Sequence, residues 1–253
     1  MGLDTYKRKR RFDKTPEPPG DPNTRRTGGD LIYAIQKHRA TRLHYDLRLE
    51  WNGVLLSWAI PKGPSLDPGV KRLARQTEDH PIEYAGFEGV IPAGEYGGGT
   101  VMLWDRGSWI PESPDVAAAL AKGDLKFTIR GKKLHGSWVL VRIKSWDKPG
   151  DDGNWLLIKH KDEFASVDDV TDTHPWSVES GRSLRAIAEA GGGAVEKAAD
   201  ADPATGKPGA SPARATPRAG TGSGSRRSSA RPPGSGSRTA SEPPRPARRR
   251  KSK

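Results

Sequence analysis

The sequence predicts a mostly β protein: a compact curved antiparallel β-barrel with one short helix, flanked by an N-terminal arm and a disordered basic C-terminal tail. Three observations predict this architecture. The middle of the chain consists of short apolar or alternating runs joined by hairpin-like turns, which are too short for the crossovers of a parallel sheet. Only residues 115–122, DVAAALAK, have the composition of a clear helix. The final stretch is rich in Gly, Pro, Ser, Ala and Arg, and it cannot bury enough apolar surface to fold.

These observations divide the chain into three parts. Residues 1–30 form the arm, residues 31–180 the barrel domain, and residues 181–253 a linker and the disordered tail, with a helical pattern over residues 183–198. The arm is polar and basic, and its prolines and glycines rule out a long helix or a central strand. Residues 201–253 carry +11 of the net charge of +12, which predicts salt-sensitive, sequence-independent contact with nucleic acid.

Strand-like runs follow one another through the barrel domain. They are residues 31–37, 42–50, 54–60, 82–92, 99–109, 124–131, 133–143 and 154–161. Asn52-Gly53 between the second and third runs is the strongest short hairpin signal in the chain. The glycine-rich residues 92–99, PAGEYGGG, predict another hairpin loop, and they do not form a phosphate-binding P-loop because no Lys-Ser/Thr pair follows. Residues 61–81 contain turn prolines and predict a loop.

Composition excludes several classes of protein. There is no cysteine, so disulfides, thiolate metal ligands and a cysteine nucleophile are excluded. The sequence contains no run of about 18 apolar residues, so we expect no membrane span. The basic N-terminus is not followed by an apolar segment, so we expect no secretory signal. We therefore expect a cytoplasmic protein, associated with the nucleoid through its basic tail.

The run from Leu43 to Glu50 alternates strictly between apolar and polar residues. In a strand its polar face holds His44, Asp46 and Arg48, with about 7 Å between neighbours. His38 directly follows the preceding run and can lie beside His44 across a short connection. Two imidazoles and one carboxylate are a ligand set for a divalent metal ion with open positions. An arginine beside them can hold a phosphate or carboxylate.

The remaining histidines differ in their neighbours. His80 lies in TEDHPIEY, close to Glu78 and Tyr84, whereas His135, His160 and His174 have surroundings typical of barrel or loop residues. The residues leave three functions open. A metal-dependent enzyme acting on a phosphate is the first, and an iron(II) oxygenase using the His-x-Asp of His44 and Asp46 is the second. The third is a non-catalytic DNA-binding barrel, which would not explain His38, His44, Asp46 and His80 together.

Four long stretches of the sequence resemble a known family. They are QKHRATRLHYDLRLE, LLSWAIPKGPS, TEDHPIEYAGFEGVIPAGEYGGGTVMLWDRG and GSWVLVRI. They are similar to the 3′-phosphoesterase module of bacterial DNA ligase D, which also occurs as a free-standing protein. The resemblance runs from about Tyr6 to Phe164. It implies a curved β-barrel that removes a 3′-terminal ribonucleoside from a DNA primer strand and then hydrolyses the remaining 3′-phosphate to a 3′-OH in non-homologous end joining.

The resemblance also implies roles for individual residues. By motif, His38, His44 and Asp46 hold Mn²⁺, and His80 and Arg48 contact the scissile phosphate. Tyr84 matches an essential tyrosine of the family. Supporting or substrate-binding positions are matched by Gln36, Lys62, Arg72, Glu78, Arg10 and Glu17. The ligand set alone would not choose Mn²⁺ over Zn²⁺ or Fe²⁺.

The N-terminal arm departs from the family at one position. Arg11 stands where the family usually has aspartate, which bears on ribonucleoside removal rather than on phosphate removal. The sequence contains no Lys-x-Asp-Gly adenylation motif of a ligase. We therefore expect the protein to heal DNA 3′ ends for a separate DNA ligase, with Ku-type end-joining proteins as further partners.

Overall fold

The structure is a computed structural model that describes residues 2–21, 28–144 and 153–203. Within these residues, nine strands form one antiparallel sheet. The strands are β1 Leu31–Arg39, β2 Leu43–Trp51, β3 Val54–Ile60, β4 Lys71–Gln76, β5 Gly89–Ile91, β6 Gly99–Pro111, β7 Asp124–Gly131, β8 His135–Arg142 and β9 Asn154–Lys159. Eight of them close into a barrel in the order β1-β2-β3-β4-β9-β8-β7-β6, because β6 also pairs with β1, and β5 pairs with the start of β6. The predicted antiparallel barrel is confirmed.

The described residues contain more helices than the one short helix and the helical pattern over residues 183–198 that the sequence predicted. They are α1 Asp4–Arg8, α2 Val116–Lys122, α3 Val170–Thr173, α4 Leu184–Gly191 and α5 Val195–Ala199, with a 3₁₀ helix at Ile82–Gly86. The predicted helix is α2, which begins after Asp115, whose side chain accepts from Ala118 N, and ends at Gly123 in the left-handed region. The other helices are too short to be stable alone, so they depend on packing against the barrel.

Two stretches differ from the expected elements. Residues 61–81 were expected to be a loop, but β4 lies within them and pairs with β9 from Lys71 to Arg75. This strand lacks clear alternation, so it is formed by its partner strand rather than by local propensity. Residues 82–86, expected as the start of a strand, form the 3₁₀ helix, which places the ring of Tyr84 against the barrel.

The barrel interior is filled with large apolar side chains. Five tryptophans are fully buried: Trp58, Trp104, Trp109, Trp138 and Trp155. On β2 the apolar face, with Tyr45, Leu47 and Leu49, joins this core. The polar face of β2 therefore points to the outside of the barrel, since successive side chains of a strand alternate. Because apolar side chains fill the barrel interior, a site that uses the polar face of β2 lies on the outer face of β1–β3.

The folded part extends beyond residue 180, where the sequence suggested that a linker begins. Leu184, Ile187 and Ala198 join the barrel core, and the Asp202 carboxylate accepts from the first backbone N–H groups of α4. Met1–Ala210 form one compact unit, and the expected disordered tail lies beyond the described residues. In the described part of the chain no helix combines the length and apolarity needed to cross a membrane.

Candidate active site

A cleft of about 190 Å³ lies on the outer face of β1–β3. The N-terminal arm and the 3₁₀ helix cover this face through a small apolar cluster of Tyr6, Leu55, Ile82 and Tyr84. The cleft is lined by Arg10, His38, Ala40, His44, Asp46, Arg48, Ala59, Thr77, Glu78, His80, Tyr84, Ile91, Tyr96 and Gly97. Most of the charged and aromatic residues singled out from the sequence therefore meet in one place.

The two histidines and the aspartate of the predicted metal site lie together. His38 and His44 are directly opposite each other in the antiparallel pair β1–β2, and Asp46 is the next residue on the same face of β2. His38 Nδ1 and His44 Nε2 each lie 3.6 Å from Asp46 Oδ2. These distances are slightly longer than the separation of about 3–3.5 Å between neighbouring ligands that bonds of about 2.0–2.2 Å to one ion would give. Among the described residues, these three side chains form the group of His, Asp and Glu whose ligand atoms lie close enough together, all within 4.8 Å of one another, to hold a metal ion.

Backbone carbonyls fix the tautomers of both histidines. His38 Nε2 lies 2.9 Å from the Gly97 carbonyl oxygen, and His44 Nδ1 lies 3.1 Å from that of Arg42. A carbonyl can only accept, so each of these nitrogens carries the proton and donates. The other nitrogen of each ring then presents its lone pair towards Asp46. Such outer hydrogen bonds are typical of metal-ligating histidines, so the donor set fits a divalent ion.

Asp46 is charged despite its burial. Burial alone raises the pKa of a carboxyl group, but the Arg48 guanidinium is the largest opposing influence, and the pKa of Asp46 lies well below its usual range. Arg48 Nη2 lies 3.4 Å from Asp46 Oδ2, and Arg48 Nε donates to Gln36 Oε1 at 3.1 Å. The Arg48 side chain is only 3% exposed, so these contacts hold it in one orientation at the base of the cleft.

His80 is held between two arginines. Its backbone forms an isolated antiparallel bridge with Leu55 of β3. Its Nδ1 lies 2.8 Å from the Glu78 carbonyl oxygen and 3.0 Å from Arg48 Nη1, while its Nε2 lies 3.2 Å from Arg10 Nη2. A neutral imidazole offers one acceptor nitrogen, so in either tautomer one of the two arginine N–H groups faces a ring N–H. The cleft is thus short of one acceptor, which an anion can supply.

The ionisation of His80 follows from these neighbours. Burial, then the positive charges of Arg48 and Arg10, lower the pKa of His80 well below its usual value. The imidazole is therefore neutral in the protein without a bound anion. An anion between the arginines would oppose both charges, so the pKa of His80 would rise when it binds.

Arg10 attaches the N-terminal arm to the cleft. Its guanidinium donates to Glu17 at 2.8 Å and to Glu78 at 3.1 Å, and it lies 3.8 Å from the ring centroid of Tyr6. Glu17 also accepts from Tyr84 OH at 3.0 Å. Burial, then the Glu17 charge, raise the pKa of Tyr84 well above its usual value, so its hydroxyl stays protonated and donates. The arm and the 3₁₀ helix are therefore joined through one buried carboxylate.

Some residues expected to bind substrate lie elsewhere. Gln36 and Glu17 are at most 3% exposed and do not line the cleft. Gln36 instead donates to the carbonyl oxygens of Tyr84 and Phe87 and accepts from Arg48, so its contacts position other groups. Lys62 and Arg72 lie outside the cleft lining. Arg72 is on β4, where its Nε is buried without a hydrogen-bond partner. Substrate contact by Lys62 and Arg72 stays a prediction.

Several residues at the cleft or at its edge were not assigned to it from the sequence. Tyr96 and Gly97 come from the glycine-rich loop, and Lys9 and Arg11 come from the arm. Lys9 Nζ donates to Glu78 and to Tyr96 OH, and Arg11 forms a bidentate pair with Glu95. Two independent arm–loop links therefore border the cleft. The basic residues of the arm and the glycine-rich loop were visible in the sequence, but their proximity was not.

The other histidines make contacts outside the cleft. The His135 ring packs on Phe164 with centroids 5.3 Å apart, and His160 Nδ1 lies 2.8 Å from Ser137 Oγ. The His174 carbonyl oxygen accepts from Trp104 Nε1 at 2.8 Å. None of the three lines the cleft that the described residues form.

Comparisons with known proteins agree with the geometry. Residues 36–142 match the family model described as the DNA ligase D 3′-phosphoesterase domain. The multifunctional non-homologous end joining protein LigD of Pseudomonas aeruginosa is 52% identical over 185 residues, which is 72% of this chain and 22% of that protein. The LigD proteins of Mycolicibacterium smegmatis and Mycobacterium tuberculosis strain H37Rv are 42% and 41% identical over 166 residues, 64% of this chain and 21% and 20% of theirs.

The residues matched to the family include most of the cleft residues and most of the barrel strands. The matched residues begin at Gln36, just before His38, and end at Arg142, the last residue of β8. The chain spans about a fifth of the length of these curated relatives. His38, His44, Asp46, Arg48, His80 and the strands β2–β8 lie within the matched residues, and this chain belongs to the DNA ligase D 3′-phosphoesterase domain family.

Proposed function

We propose that this protein is a metal-dependent phosphoesterase that heals DNA 3′ ends, hydrolysing a 3′-phosphate to a 3′-OH during non-homologous end joining. The observation that carries the proposal is the cleft in which the three candidate metal ligands His38, His44 and Asp46, here called the metal group, lie beside Arg48 and His80. The family description names a 3′-phosphoesterase, and the relatives are named as end-joining proteins. Two arginines next to the metal group favour a phosphate over a small oxidisable substrate.

The metal ligands in this proposal are His38 Nδ1, His44 Nε2 and Asp46 Oδ2. We propose Mn²⁺ as the ion on the basis of the family resemblance, since the donor set is shared with other divalent metals. When bound, such an ion neutralises phosphate charge and lowers the pKa of a bound water. The chain's contribution is a set of ligands already oriented by the carbonyl oxygens of Gly97 and Arg42.

In this proposal the phosphate binds between the three metal ligands and the two arginines. Arg48 Nη1 faces His80, and Arg10 Nη2 faces the same ring from the other side. A phosphate oxygen would give these N–H groups the acceptor that His80 cannot supply to both. Phosphoryl transfer depends mainly on positioning and charge neutralisation, and fixed guanidinium groups provide both.

We assign His80 the protonation of the leaving oxygen. Binding of the anionic phosphate opposes the charges of Arg48 and Arg10 and raises the pKa of His80, so proton uptake accompanies binding. Water then attacks phosphorus, the bond to the sugar 3′-oxygen breaks, and the imidazolium transfers its proton to that oxygen. The products are inorganic phosphate and a 3′-OH end. Tyr84 fixes Glu17 and stacks edge-on against His80, with centroids 4.8 Å apart.

We extend the proposal to removal of a 3′-terminal ribonucleoside, which leaves the 3′-phosphate that the first reaction consumes. The same metal group and arginines can hold the diester. We further propose that the product ends pass to a separate DNA ligase, with Ku-type proteins holding the ends together.

Release of phosphate from a 3′-phosphate primer–template tests the proposal. We expect inorganic phosphate and a 3′-OH primer with Mn²⁺ and neither with EDTA. A primer ending in one ribonucleotide tests the diester reaction in the same assay. Equal release in EDTA, or none with Mn²⁺ or another divalent metal, would refute a metal-dependent phosphoesterase. Turnover that requires 2-oxoglutarate and O₂ would indicate an iron oxygenase, and DNA binding without turnover in any metal would indicate a binding barrel.

A further inference from the structure

Tyr96 stands at the mouth of the cleft as an exposed aromatic ring. It is 48% exposed, whereas the other tyrosine lining the cleft, Tyr84, is 2% exposed. The residue after it, Gly97, accepts from His38 Nε2 at 2.9 Å. Tyr96 is therefore one residue away from the carbonyl that orients a candidate metal ligand, and its ring is open to solvent.

Two cations of the arm contact this ring, which remains half exposed. Lys9 Nζ donates to Tyr96 OH at 3.0 Å and lies 4.5 Å from the ring centroid, and the Arg10 guanidinium carbon lies 5.4 Å from that centroid. Lys9 is fixed in turn by Glu78 at 3.1 Å. An aromatic ring that is oriented and half exposed, beside a phosphate-type site, suits stacking with a ligand better than packing in a core.

A second groove begins at the same ring. It has a volume of about 640 Å³ and shares Thr77, Glu78 and Tyr96 with the cleft. Its other lining residues are Gly2, Thr5, Lys9, Arg75, Gln76 and Asp79. These residues are small or polar, so the groove can hold a hydrated, flat group that leaves the cleft past Tyr96. A nucleobase attached to a sugar in the cleft has these properties.

We propose that Tyr96 and this groove form a nucleobase subsite for the 3′-terminal nucleotide of a DNA strand. This inference rests on the proposed function and deepens it. With the 3′-phosphate between Arg48 and Arg10, the base of the same nucleotide passes the cleft mouth and stacks on Tyr96. Stacking uses the face that every base has, so the subsite accepts any base but distinguishes a nucleotide end from a simple phosphate monoester.

The test compares two primer–templates that carry the same 3′-phosphate. One ends in an ordinary nucleotide and the other in a tetrahydrofuran abasic analogue. We expect Tyr96→Ala to raise KM for the ordinary end about 10-fold, within the range for loss of one base stack, and to leave KM for the abasic end unchanged. Tyr96→Phe keeps the ring, so it should keep most of the KM difference between the two ends that Tyr96→Ala loses. Phe164→Ala is the matched control, because Phe164 is 43% exposed and lies outside the cleft.

Each other outcome overturns the inference. An equal loss on both ends, or a Tyr96→Phe variant as impaired as Tyr96→Ala, would mean that Tyr96 acts through its hydroxyl on Lys9 to hold the arm. An unchanged KM for Tyr96→Ala on the ordinary end would mean that the ring does not touch the base. A wild-type protein that releases no phosphate from either end would refute the proposed function itself, and the inference with it.

Discussion

Replacing Glu17 with leucine should release the N-terminal arm from the cleft. The buried Glu17 carboxylate accepts from Arg10 Nε at 2.8 Å, Tyr84 OH at 3.0 Å and Thr15 Oγ1 at 3.0 Å. Leucine removes all three acceptors. Breaking a buried ion pair costs about 3–5 kcal/mol, but Arg10 keeps its contact with Glu78 at 3.1 Å, which reduces the loss. Buried hydroxyls left without an acceptor add about 1–3 kcal/mol, so we expect the docked arm to lose about 3 kcal/mol.

Trypsin cleavage after Lys7 and Arg8 measures docking of the arm, because both residues lie in α1 when the arm is bound. When opening is fast, cleavage follows the population of the open state, and about 3 kcal/mol corresponds to a rate about 100-fold higher. Glu17→Gln keeps an oxygen acceptor and should raise the rate less than about 10-fold. Cleavage of Glu17→Leu at the wild-type rate, or equal rates for the two variants, would refute this account of the arm.

Three further predictions concern the metal, pH and the tail. His44→Ala should lower both Mn²⁺ content and phosphate release at least about 100-fold, and a normally loaded, active variant would contradict its role as a ligand. Burial lowers the pKa of Lys133 to about 7 from 10.5 in the unfolded chain, so between these values the folded protein holds fewer protons and its free energy of unfolding rises with pH. Urea unfolding at pH 6 and pH 9 should show this rise in the wild type and a smaller one in Lys133→Met; equal rises would contradict it. Deleting residues 204–253 should leave phosphate release intact, weaken DNA binding at low salt and make the dependence of binding on salt shallower. Deleting residues 201–253 also removes Asp202, which caps α4, and should cost a further ~1 kcal/mol of stability. An unchanged salt slope in the shorter deletion would show that the tail does not contact DNA.

The part of the site that the sequence could predict lies on one hairpin. Strict alternation from Leu43 to Glu50 places His44, Asp46 and Arg48 on one face, and the structure has them there. The proximity of His38 to His44 follows from an antiparallel pair joined by only three residues, Ala40–Arg42. These relations are local in sequence, so periodicity and turn length determine them.

The rest of the site depends on contacts between distant segments. The tautomer of His38 is set by the carbonyl of Gly97. Every residue has a backbone carbonyl, so the residue types do not reveal this contact. The two arginines around His80 come from the arm and from β2, so burial and Arg48 lower the pKa of His80, and docking of the arm adds the charge of Arg10. Strand β4 was missed for the same reason, because its pairing with β9 rather than its own composition makes it a strand.

Arg10 and Arg11 show how neighbouring residues of one arm take different roles. The Arg10 side chain is 5% exposed and is held by Glu17 and Glu78, whereas the Arg11 side chain is 57% exposed and pairs with Glu95 of the glycine-rich loop. The aspartate that the family usually has at position 11 would face the Glu95 carboxylate, and like charges repel. In this protein the arginine instead links the arm to the loop that carries Tyr96 and Gly97. The contacts of Arg11 therefore lie at the mouth of the cleft, where the terminal nucleotide of the proposal would enter, and not at His38, His44, Asp46 or Arg48.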